Sequence, residues 1–382
     1  MKKALKAGLL LLPVLYSLIR LKADTGFYIF FCAVYASFCL LSCFIRNADF
    51  FKYLVQIGIS YIFLDISFHN VDFSLFFRSF RLIDMRIFLL VLVTTFLSLY
   101  IRAYKWKYLL QHIKPVRIKS LFNTIIVGFM VNSIFPARLG EVYRAYMLSR
   151  LEKISKSSIF ATVVLERVFD GLVIGIGIVY IFLLNIIHHK IFYQAGLIGL
   201  GFYVAAILFL LVFYFRKNAL VRIMKRLLFF IPGKIRARIF SLLDLFYEGL
   251  HIFKNIRNLL LFTIFTILTW AVIIFNMYLF LESMKIFQYI PISFNPLVFS
   301  ILMTGLLAIG ISIPSGPGAI GPFQASILFS FFLVNAHYVK TGTYEYNLIA
   351  SFSMYCWISQ VIIQIAAGLV VLAREKMTLK ME

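Results

Sequence analysis

The sequence predicts an all-α protein built as a polytopic bundle of membrane-spanning helices. Of its 382 residues, 62% are hydrophobic and only 14% are charged, whereas an ordinary globular domain is roughly half apolar. Several apolar runs are long enough for a helix to cross a hydrocarbon core about 30 Å thick. The basic residues, which give a net charge of +23, fall mainly between these runs. The chain is therefore expected to use lipid as its solvent.

Eight apolar runs are predicted to be full spans. They are Ala7–Ile19, Gly26–Ile45, Lys52–Ile66, Ile87–Ile101, Gly171–Ile187, Phe192–Phe215, Leu259–Leu281 and Leu348–Ala373. Residues 1–50 would form an additional N-terminal hairpin, and residues 51–382 would form the main transmembrane domain. This arrangement places most of the 38 lysines and arginines on one side, which the positive-inside rule assigns to the cytoplasm. Both termini are thus predicted to be cytoplasmic, with the protein in the plasma (inner) membrane.

Two further apolar stretches are predicted to be re-entrant helical hairpins. Leu121–Ala137 has strongly basic segments at both ends, so a full crossing would place one of them outside. Leu297–Val334 is interrupted between Pro314 and Gly318 by two prolines and two glycines. The two hairpins would enter from opposite faces. Short sequence matches between them are consistent with an inverted repeat or with chance, and both interpretations stay open.

The composition argues against several other classes of protein. No basic run is combined with stacking aromatic residues on a polar segment, so nucleic acid is not an expected partner. The four cysteines lie inside apolar runs without metal-binding or redox spacing. No phosphate-binding Gly-x-x-x-x-Gly-Lys motif is present. No metal and no cofactor is therefore predicted.

Charged residues in apolar surroundings are costly and become functional candidates. Two groups of three stand out: Arg138, Glu141, Arg144, and then Glu166, Arg167 and Asp170. If residues 136–148 are helical, the first group is spaced by three and shares one helix face. Glu166 and Asp170, four residues apart, share a face of another helix, and Arg167 can reach Asp170. The sequence therefore predicts two facing charged clusters.

Two interpretations of these clusters stay open. In the first, three arginines and three carboxylates neutralise one another and lock the helices together. In the second, the arginines bind the phosphate of a lipid headgroup, and the carboxylates orient them or meet an ammonium group. The glycine-rich break at residues 315–321 would bring backbone N–H groups to an anion, or would simply interrupt a helix. Trp106, between two lysines, is expected to be an interfacial anchor.

Four segments, in this order, resemble the flippase-like transmembrane family, which is the membrane half of lysylphosphatidylglycerol synthases, the multiple peptide resistance factors. They are Arg102–Leu110 (RAYKWKYLL), Asn132–Arg144 (NSIFPARLGEVYR), Ala161–Asp170 (ATVVLERVFD) and Pro314–Gln324 (PSGPGAIGPFQ). The resemblance covers the chain from about Phe51 onwards. Gln324 stands where family members are expected to carry a carboxylate, which leaves the headgroup specificity open.

The resemblance implies a lipid translocase that moves a phospholipid or polyprenyl-linked lipid between leaflets. Further expected partners are anionic inner-leaflet lipids and either a second copy of the chain or a separate synthase. The alternatives are an intramembrane lipid-modifying transferase, with Glu166 or Asp170 as a base, and a non-catalytic partner of a synthase. Enzymatic function is less expected, because the aminoacyl-transfer domain of the family has no counterpart after Ala373. The expected substrate-binding residues are Asn132, Arg138, Glu141, Arg144, Glu166, Arg167, Asp170, Ser315, Gly316, Gly318, Gly321 and Gln324, with no catalytic residue assigned.

Overall fold

The fold is described from a computed structural model. It describes residues 48–136, 138–183, 190–216, 250–292 and 294–375, together with scattered positions between 217 and 249. The predicted spans Ala7–Ile19 and Gly26–Ile45, and with them the N-terminal hairpin, lie outside the described residues.

Over the described residues every regular element is helical, which confirms the all-α class. The helices are α1 (Ala48–Phe68), α2 (Phe73–Ser79), α3 (Met85–Leu110), α4 (Ile118–Ile134), α5 (Gly140–Glu152), α6 (Lys156–Leu183), α7 (Lys190–Phe215), α8 (Ile256–Ser283), α9 (Ile286–Tyr289), α10 (Pro296–Gly310), α11 (Pro322–Val334) and α12 (Tyr344–Glu375). Short 3₁₀ turns lie at Phe80–Leu82, Leu250–Lys254, Pro317–Ala319 and Ala336–Val339.

Five helices in the described part of the chain are long and apolar enough to cross a membrane. They are Met85–Leu110, Leu197–Phe215 within α7, Ile256–Ser283, Tyr344–Glu375 and Pro317–Val334, which is α11 counted together with the 3₁₀ turn before it. The bent pair Tyr53–Phe68 and Phe73–Leu82 would make a sixth if it is one span. The protein is thus a multi-pass helical membrane protein, whereas the predicted count of eight full spans is not confirmed.

The bend between α1 and α2 has a local cause in the sequence. The two helices meet at 88°, where the prediction had a single span, Lys52–Ile66. Asp72 begins α2, because its side chain accepts hydrogen bonds from the backbone N–H groups of Ser74 and Leu75 at 2.8 and 3.2 Å. Such a cap satisfies donors that the first turn of a helix leaves unpaired. Asn347 of α12 holds the same corner by accepting from the Asp72 N–H at 2.7 Å.

The stretch predicted as a hairpin at Leu297–Val334 contains two helices and a break, whereas the one predicted at Leu121–Ala137 covers only α4 and the start of a break, and its second helix, α5, lies outside the predicted bounds. In the first unit, α4 and α5 pack together across a break at residues 135–139 that contains Pro136. In the second, α10 and α11 pack together across residues 311–321. The 3₁₀ turn Pro317–Ala319 of the second break packs against α4 of the first unit. The two units therefore meet inside the bundle.

The segment Arg138–Lys156, one of the two basic segments that flank the predicted hairpin Leu121–Ala137, is largely helix α5. All residues from Tyr143 to Leu148 are buried. The basic count of this segment misled the sequence interpretation, because Arg144 points into the protein interior instead of into water. Helix α5 packs against α4 and α6, where the candidate site lies.

Two apolar cores hold the described helices together. One lies among α8, α10, α11 and α12 and contains Phe280, Phe299 and Phe331. The other lies among α3, α4, α5 and α6 and contains Leu121 and Tyr143. Helices α3 and α8 form the most extensive helix pair and connect the two cores. The charged residues described next lie within the second core.

Candidate functional site

A buried cluster of charged side chains lies where α3, α5 and α6 meet. We call it the charged cluster, and it consists of Arg102, Lys105, Glu141, Arg144, Glu166, Arg167 and Asp170. Five of these residues were predicted as candidates from the sequence. Arg102 and Lys105 were not, because they were assigned to a cytoplasmic loop, whereas α3 continues to Leu110.

Lys105 is placed between the two carboxylates of α6. Its ammonium lies 2.6 Å from Asp170 Oδ1 and 3.3 Å from Glu166 Oε1, and its side chain is fully buried. Glu166 and Asp170 share one face of α6, as their spacing of four residues predicted. That one side chain contacts both carboxylates confirms the shared face.

Arg102 contacts the same pair of carboxylates from one turn earlier on α3. Its Nη1 lies 3.5 Å from Glu166 Oε1 and 3.8 Å from Asp170 Oδ2. The guanidinium lies over the ring of Phe129 on α4, at 5.3 Å from the ring centroid. Arg102 and Lys105 are three residues apart and therefore share a helix face. This spacing is the signal by which sequence reasoning could have found them.

Arg144 enters the cluster from α5. Its Nη2 donates to Glu166 Oε2 at 3.1 Å, and its guanidinium stacks 4.3 Å from the centroid of the Trp106 ring. Gly128 of α4 makes room for it, since a Cβ there would lie 2.4 Å from Arg144 Cγ. Although Arg144 is only 2% exposed, its Nε and Nη1 have no hydrogen-bond partner among the described residues.

Trp106 is not an interfacial anchor, contrary to the prediction. It is fully buried, its indole N–H donates to Thr162 Oγ1 at 3.0 Å, and its ring supports Arg144. Its two neighbouring lysines suggested an exposed position, but Lys105 is itself buried in the cluster. The aromatic ring here serves as a platform for a cation.

The outer rim of the cluster is formed by Arg167 and Glu141. Arg167 Nη2 lies 2.7 Å from Glu141 Oε1, and its Nη1 lies 3.9 Å from Asp170 Oδ2. The Arg167 and Glu141 side chains are 33% and 21% exposed, so this side of the cluster opens to the exterior of the bundle. On the opposite side, the indole N–H of Trp270 on α8 donates to Asp170 Oδ1 at 3.0 Å. The predicted contact of Arg167 with Asp170 is present, at the longer distance.

Arg138 does not share a helix face with Glu141 and Arg144. It precedes α5 with a positive φ of 53°, and it forms no ion pair with any residue that the structure describes. The prediction assumed a helix over residues 136–148, but α5 begins only at Gly140. Glu141 and Arg144 also take different partners, since Glu141 pairs with Arg167 and Arg144 with Glu166.

The charges of the cluster do not cancel. It contains four cations and three carboxylates, and among the described residues no other carboxylate lies within 4 Å of these cations. The sequence interpretation had counted three arginines against three carboxylates, which would have allowed complete neutralisation. The cluster therefore carries one cation more than it has carboxylates, and Arg144 contributes two N–H groups that have no partner among the described residues.

Asn132 acts on the cluster through the backbone. Its Oδ1 accepts a hydrogen bond from the N–H of Gly140 at 2.7 Å, which fixes the first turn of α5. A Cβ on Gly140 would lie 1.9 Å from the carbonyl oxygen of Gly128, so the two backbones are in direct contact. Asn132 and Gly140 together set the position from which Arg144 extends.

The glycine-rich break lies apart from the charged cluster. Among the described residues, no hydrogen bond or ion pair joins the two, and α4 packs against both. Two of its backbone N–H groups are already paired: that of Gly316 donates to Ser60 Oγ and that of Gly321 to Gln324 Oε1, both at 2.7 Å. The break also accepts a 2.8 Å bond from the Trp357 indole at the Gly318 carbonyl.

Two polar atoms in this break are buried without a partner among the described residues, Ser315 Oγ and Gln324 Nε2. Gly321 has a φ of +93°, and a Cβ there would lie 2.4 Å from the carbonyl oxygen of Ser60. Glycine is thus needed for both conformation and space. An anion-binding role for the break stays a prediction.

A separate apolar cavity of about 480 Å³ lies between α1, α10 and α11, near the start of α12. Its walls include Phe63, Leu306, Phe329 and Tyr346. No residue of the charged cluster lines it. Over the described residues, no group of three or more His, Cys, Asp or Glu side chains is arranged to hold a metal ion.

A family model described as "Lysylphosphatidylglycerol synthase TM region" matches residues 53–341, which is well over half of the chain. The chain belongs to this family. The match includes the whole charged cluster and the glycine-rich break. The resemblance expected from the four sequence motifs is therefore confirmed for this lysylphosphatidylglycerol synthase transmembrane region.

A UPF0104 membrane protein of Methanocaldococcus jannaschii is 39% identical to the chain over 69 residues. This match covers 17% of the chain and 20% of that relative, so the chain matches only about a fifth of the relative's length. No solved structure matches the chain at a significant level.

Proposed function

We propose that this protein is a lipid translocase that binds the phosphate of a phospholipid or lipid-linked headgroup at the charged cluster and moves it between leaflets. The observation that carries the proposal is the surplus of buried positive charge, four cations against three carboxylates. Membership of a lysylphosphatidylglycerol synthase transmembrane family supports a role in membrane lipid metabolism.

Arg144 is the residue proposed to contact the phosphate. A guanidinium presents a planar set of donors that matches phosphate oxygens in a bidentate manner. The Nε and Nη1 of Arg144 are buried and unpaired among the described residues, and leaving a buried donor unsatisfied costs about 1–3 kcal/mol. A phosphate would remove that penalty. The stacking of Arg144 on Trp106 restricts the guanidinium and so prepares it for binding.

The two helix–break–helix units are proposed to be re-entrant hairpins that enter from opposite faces and meet beside the site. Their contact through α4 and the turn Pro317–Ala319 supports this arrangement, which many transporters use to build a binding site at the midplane. The same proposal includes eight spans, cytoplasmic termini and a location in the inner membrane, as the distribution of basic residues predicts.

The main alternative is that the cluster is only a structural ion-pair lattice. A closed lattice would pair every buried donor and leave no surplus charge, because an unpaired buried charge destabilises the fold. The unpaired donors of Arg144 favour a site that is completed by a ligand. A synthase partner and a second copy of the chain remain proposed partners.

The test is lipid exchange in liposomes that contain the purified full-length protein. Phospholipids with labelled acyl chains and different headgroups are followed by chemical quenching of the outer leaflet. We expect faster exchange than in empty liposomes for at least one phosphate-bearing headgroup. Exchange no faster than in empty liposomes for every headgroup would refute translocation, and a new lipid product would instead support the transferase alternative.

The variant Arg144→Lys distinguishes a ligand-binding site from a purely structural ion-pair lattice. Lysine keeps the charge that pairs with Glu166 but lacks the planar donors, so we expect a folded protein with exchange reduced at least about tenfold. Lys119→Gln is the matched control, since its side chain is 83% exposed, and it should keep the wild-type rate. Normal exchange by Arg144→Lys would exclude the proposed phosphate contact, and loss of folded protein would favour the lattice.

A further inference from the structure

The carboxylates of the charged cluster are already occupied by a cation of the protein itself. The ammonium of Lys105 lies 2.6 Å from Asp170 Oδ1 and 3.3 Å from Glu166 Oε1. It is fully buried, so it cannot move into water without a rearrangement of α3. Its position between the two carboxylates is the position that the ammonium of a cationic lipid headgroup would have to take.

The other faces of these carboxylates are also occupied by donors. Glu166 is within 3.5 Å of Arg102 and within 3.1 Å of Arg144. Asp170 accepts from the indole N–H of Trp270 at 3.0 Å. The Oδ2 of Asp170 makes no hydrogen bond, but both of its nearest charged neighbours are guanidinium groups, at 3.8 and 3.9 Å. Three of the four oxygens of Glu166 and Asp170 are therefore hydrogen-bonded, and the fourth, Asp170 Oδ2, already lies beside two cations.

Three donor atoms and two carboxylate oxygens of the cluster, Glu141 Oε1 and Asp170 Oδ2, are buried without a hydrogen-bond partner among the described residues, but both oxygens already lie within 4 Å of an arginine. The Nε and Nη1 of Arg144 and the Nε of Arg167 are buried without a partner among the described residues. Glu141, the carboxylate at the rim, is already in contact with Arg167 at 2.7 Å. Donors without partners, together with carboxylates that already face the protein's own cations, match a ligand that brings negative charge and no positive charge.

We infer that the headgroup bound here is an anionic phosphodiester without an ammonium group, and that Lys105 is the residue that excludes headgroups carrying one. This inference rests on the proposed function and adds the substrate class to it. The mechanism is electrostatic. A headgroup ammonium placed at the carboxylates would lie beside the ammonium of Lys105, and like charges that are brought together in a dry interior repel each other strongly.

The wild-type protein gives the first test. Purified protein is reconstituted in liposomes, and exchange of tail-labelled phosphatidylglycerol and tail-labelled phosphatidylethanolamine is measured in parallel. These lipids share the phosphodiester, and only the second carries an ammonium. We expect phosphatidylglycerol to be exchanged at least about tenfold faster, since discrimination by one charged contact commonly reaches this size. Equal rates for the two lipids, or a preference for phosphatidylethanolamine, would overturn the inference.

Lys105→Met gives the second test, because methionine has a similar length and no charge. The variant exposes the carboxylate pair and balances the cluster at three cations and three carboxylates. We expect the ratio of phosphatidylethanolamine to phosphatidylglycerol exchange to rise at least about tenfold. The matched control is Lys107→Met, two residues further along α3 and outside the cluster, which should keep the wild-type ratio. An unchanged ratio in a folded Lys105→Met protein would refute the role of Lys105.

A binding measurement distinguishes failure of this inference from failure of the proposed translocation. The thermal unfolding temperature of the detergent-purified protein is measured with each of the two lipids added. Stabilisation by phosphatidylglycerol alone in the wild type, and by both lipids in Lys105→Met, supports the inference even if no lipid crosses the membrane. Stabilisation of the wild type by both lipids alike, or by neither, overturns it. Lys105→Arg, which keeps the cation, should retain the wild-type preference.

Discussion

Glu166→Gln is expected to destabilise the helix bundle and to increase its dependence on anionic lipid. Glu166 is fully buried and lies within 3.5 Å of three cations, namely Arg102, Lys105 and Arg144. At these distances each contact contributes about 5 kcal/mol of gross attraction at an effective dielectric constant near 20. Much of this attraction offsets the cost of burying the charges, so the net loss from removing one partner is about 3–5 kcal/mol.

The corresponding change in unfolding temperature can be worked from the chain length. The unfolding entropy is roughly 2 cal/mol per kelvin per residue, which gives about 0.8 kcal/mol per kelvin for 382 residues. A loss of about 3–5 kcal/mol in the free energy of unfolding therefore lowers the midpoint temperature by about 4–6 °C. The measurement is thermal unfolding in detergent, followed by circular dichroism. Glu152→Gln is the control, because Glu152 pairs at 3.6 Å with Lys114, whose side chain is 47% exposed. Such a surface pair contributes at most about 1 kcal/mol.

Addition of lipid completes the experiment. In Glu166→Gln the cluster would hold four cations against two carboxylates, so phosphatidylglycerol should raise the unfolding temperature of the variant by more than that of the wild type. If Glu166→Gln unfolds within about 1 °C of the wild type, the ion pairs do not stabilise the fold as reasoned. If phosphatidylglycerol stabilises both proteins equally, the surplus of positive charge is not what attracts the lipid.

Two further predictions concern the packing of α5 and the coupling of one ion pair. Gly140→Ala should cost about 3 kcal/mol, at the upper end of the usual range for overpacking, and displace α5, because the added Cβ would lie 1.9 Å from the Gly128 carbonyl oxygen. The control is Gly201→Ala, which has open space around it and should leave the unfolding temperature unchanged or slightly raised. Equal stability of the two variants would contradict the predicted contact. Lys105→Met and Asp170→Asn should each lower the free energy of unfolding. The double variant should lose about 1–3 kcal/mol less than the sum of the two single losses. If the two losses add strictly in the same unfolding measurement, the 2.6 Å contact carries no coupling energy.

The break between Pro314 and Gly318 could be predicted because it is determined locally. Proline lacks a backbone N–H, and glycine adopts positive φ without strain, so two prolines and two glycines in five residues interrupt a helix. The shared face of Glu166 and Asp170 is equally local, since it follows from 3.6 residues per turn. Each of these predictions needed only a short stretch of chain.

The misassigned residues show where local reasoning fails. Arg102, Lys105 and Trp106 were assigned to the cytoplasmic boundary because lysine and arginine are usually exposed. They are buried because Glu166 and Asp170 of another helix compensate their charge, and such compensation depends on residues about 60 positions away in the chain. Arg138 was misplaced for a different reason, since the start of α5 at Gly140 is fixed by Asn132 and by contact with Gly128.

The sequence by itself determined that this protein is an apolar, basic, all-helical membrane protein of the lysylphosphatidylglycerol synthase transmembrane family. It did so because hydrophobic length and motif order are properties of the chain. Only the tertiary structure decided the charge balance of the site. Whether buried charges cancel depends on which helices meet. Arg138 falls outside the cluster, and the meeting of α3 with α6 adds Arg102 and Lys105, so a neutral set of three cations and three carboxylates becomes four cations against three carboxylates.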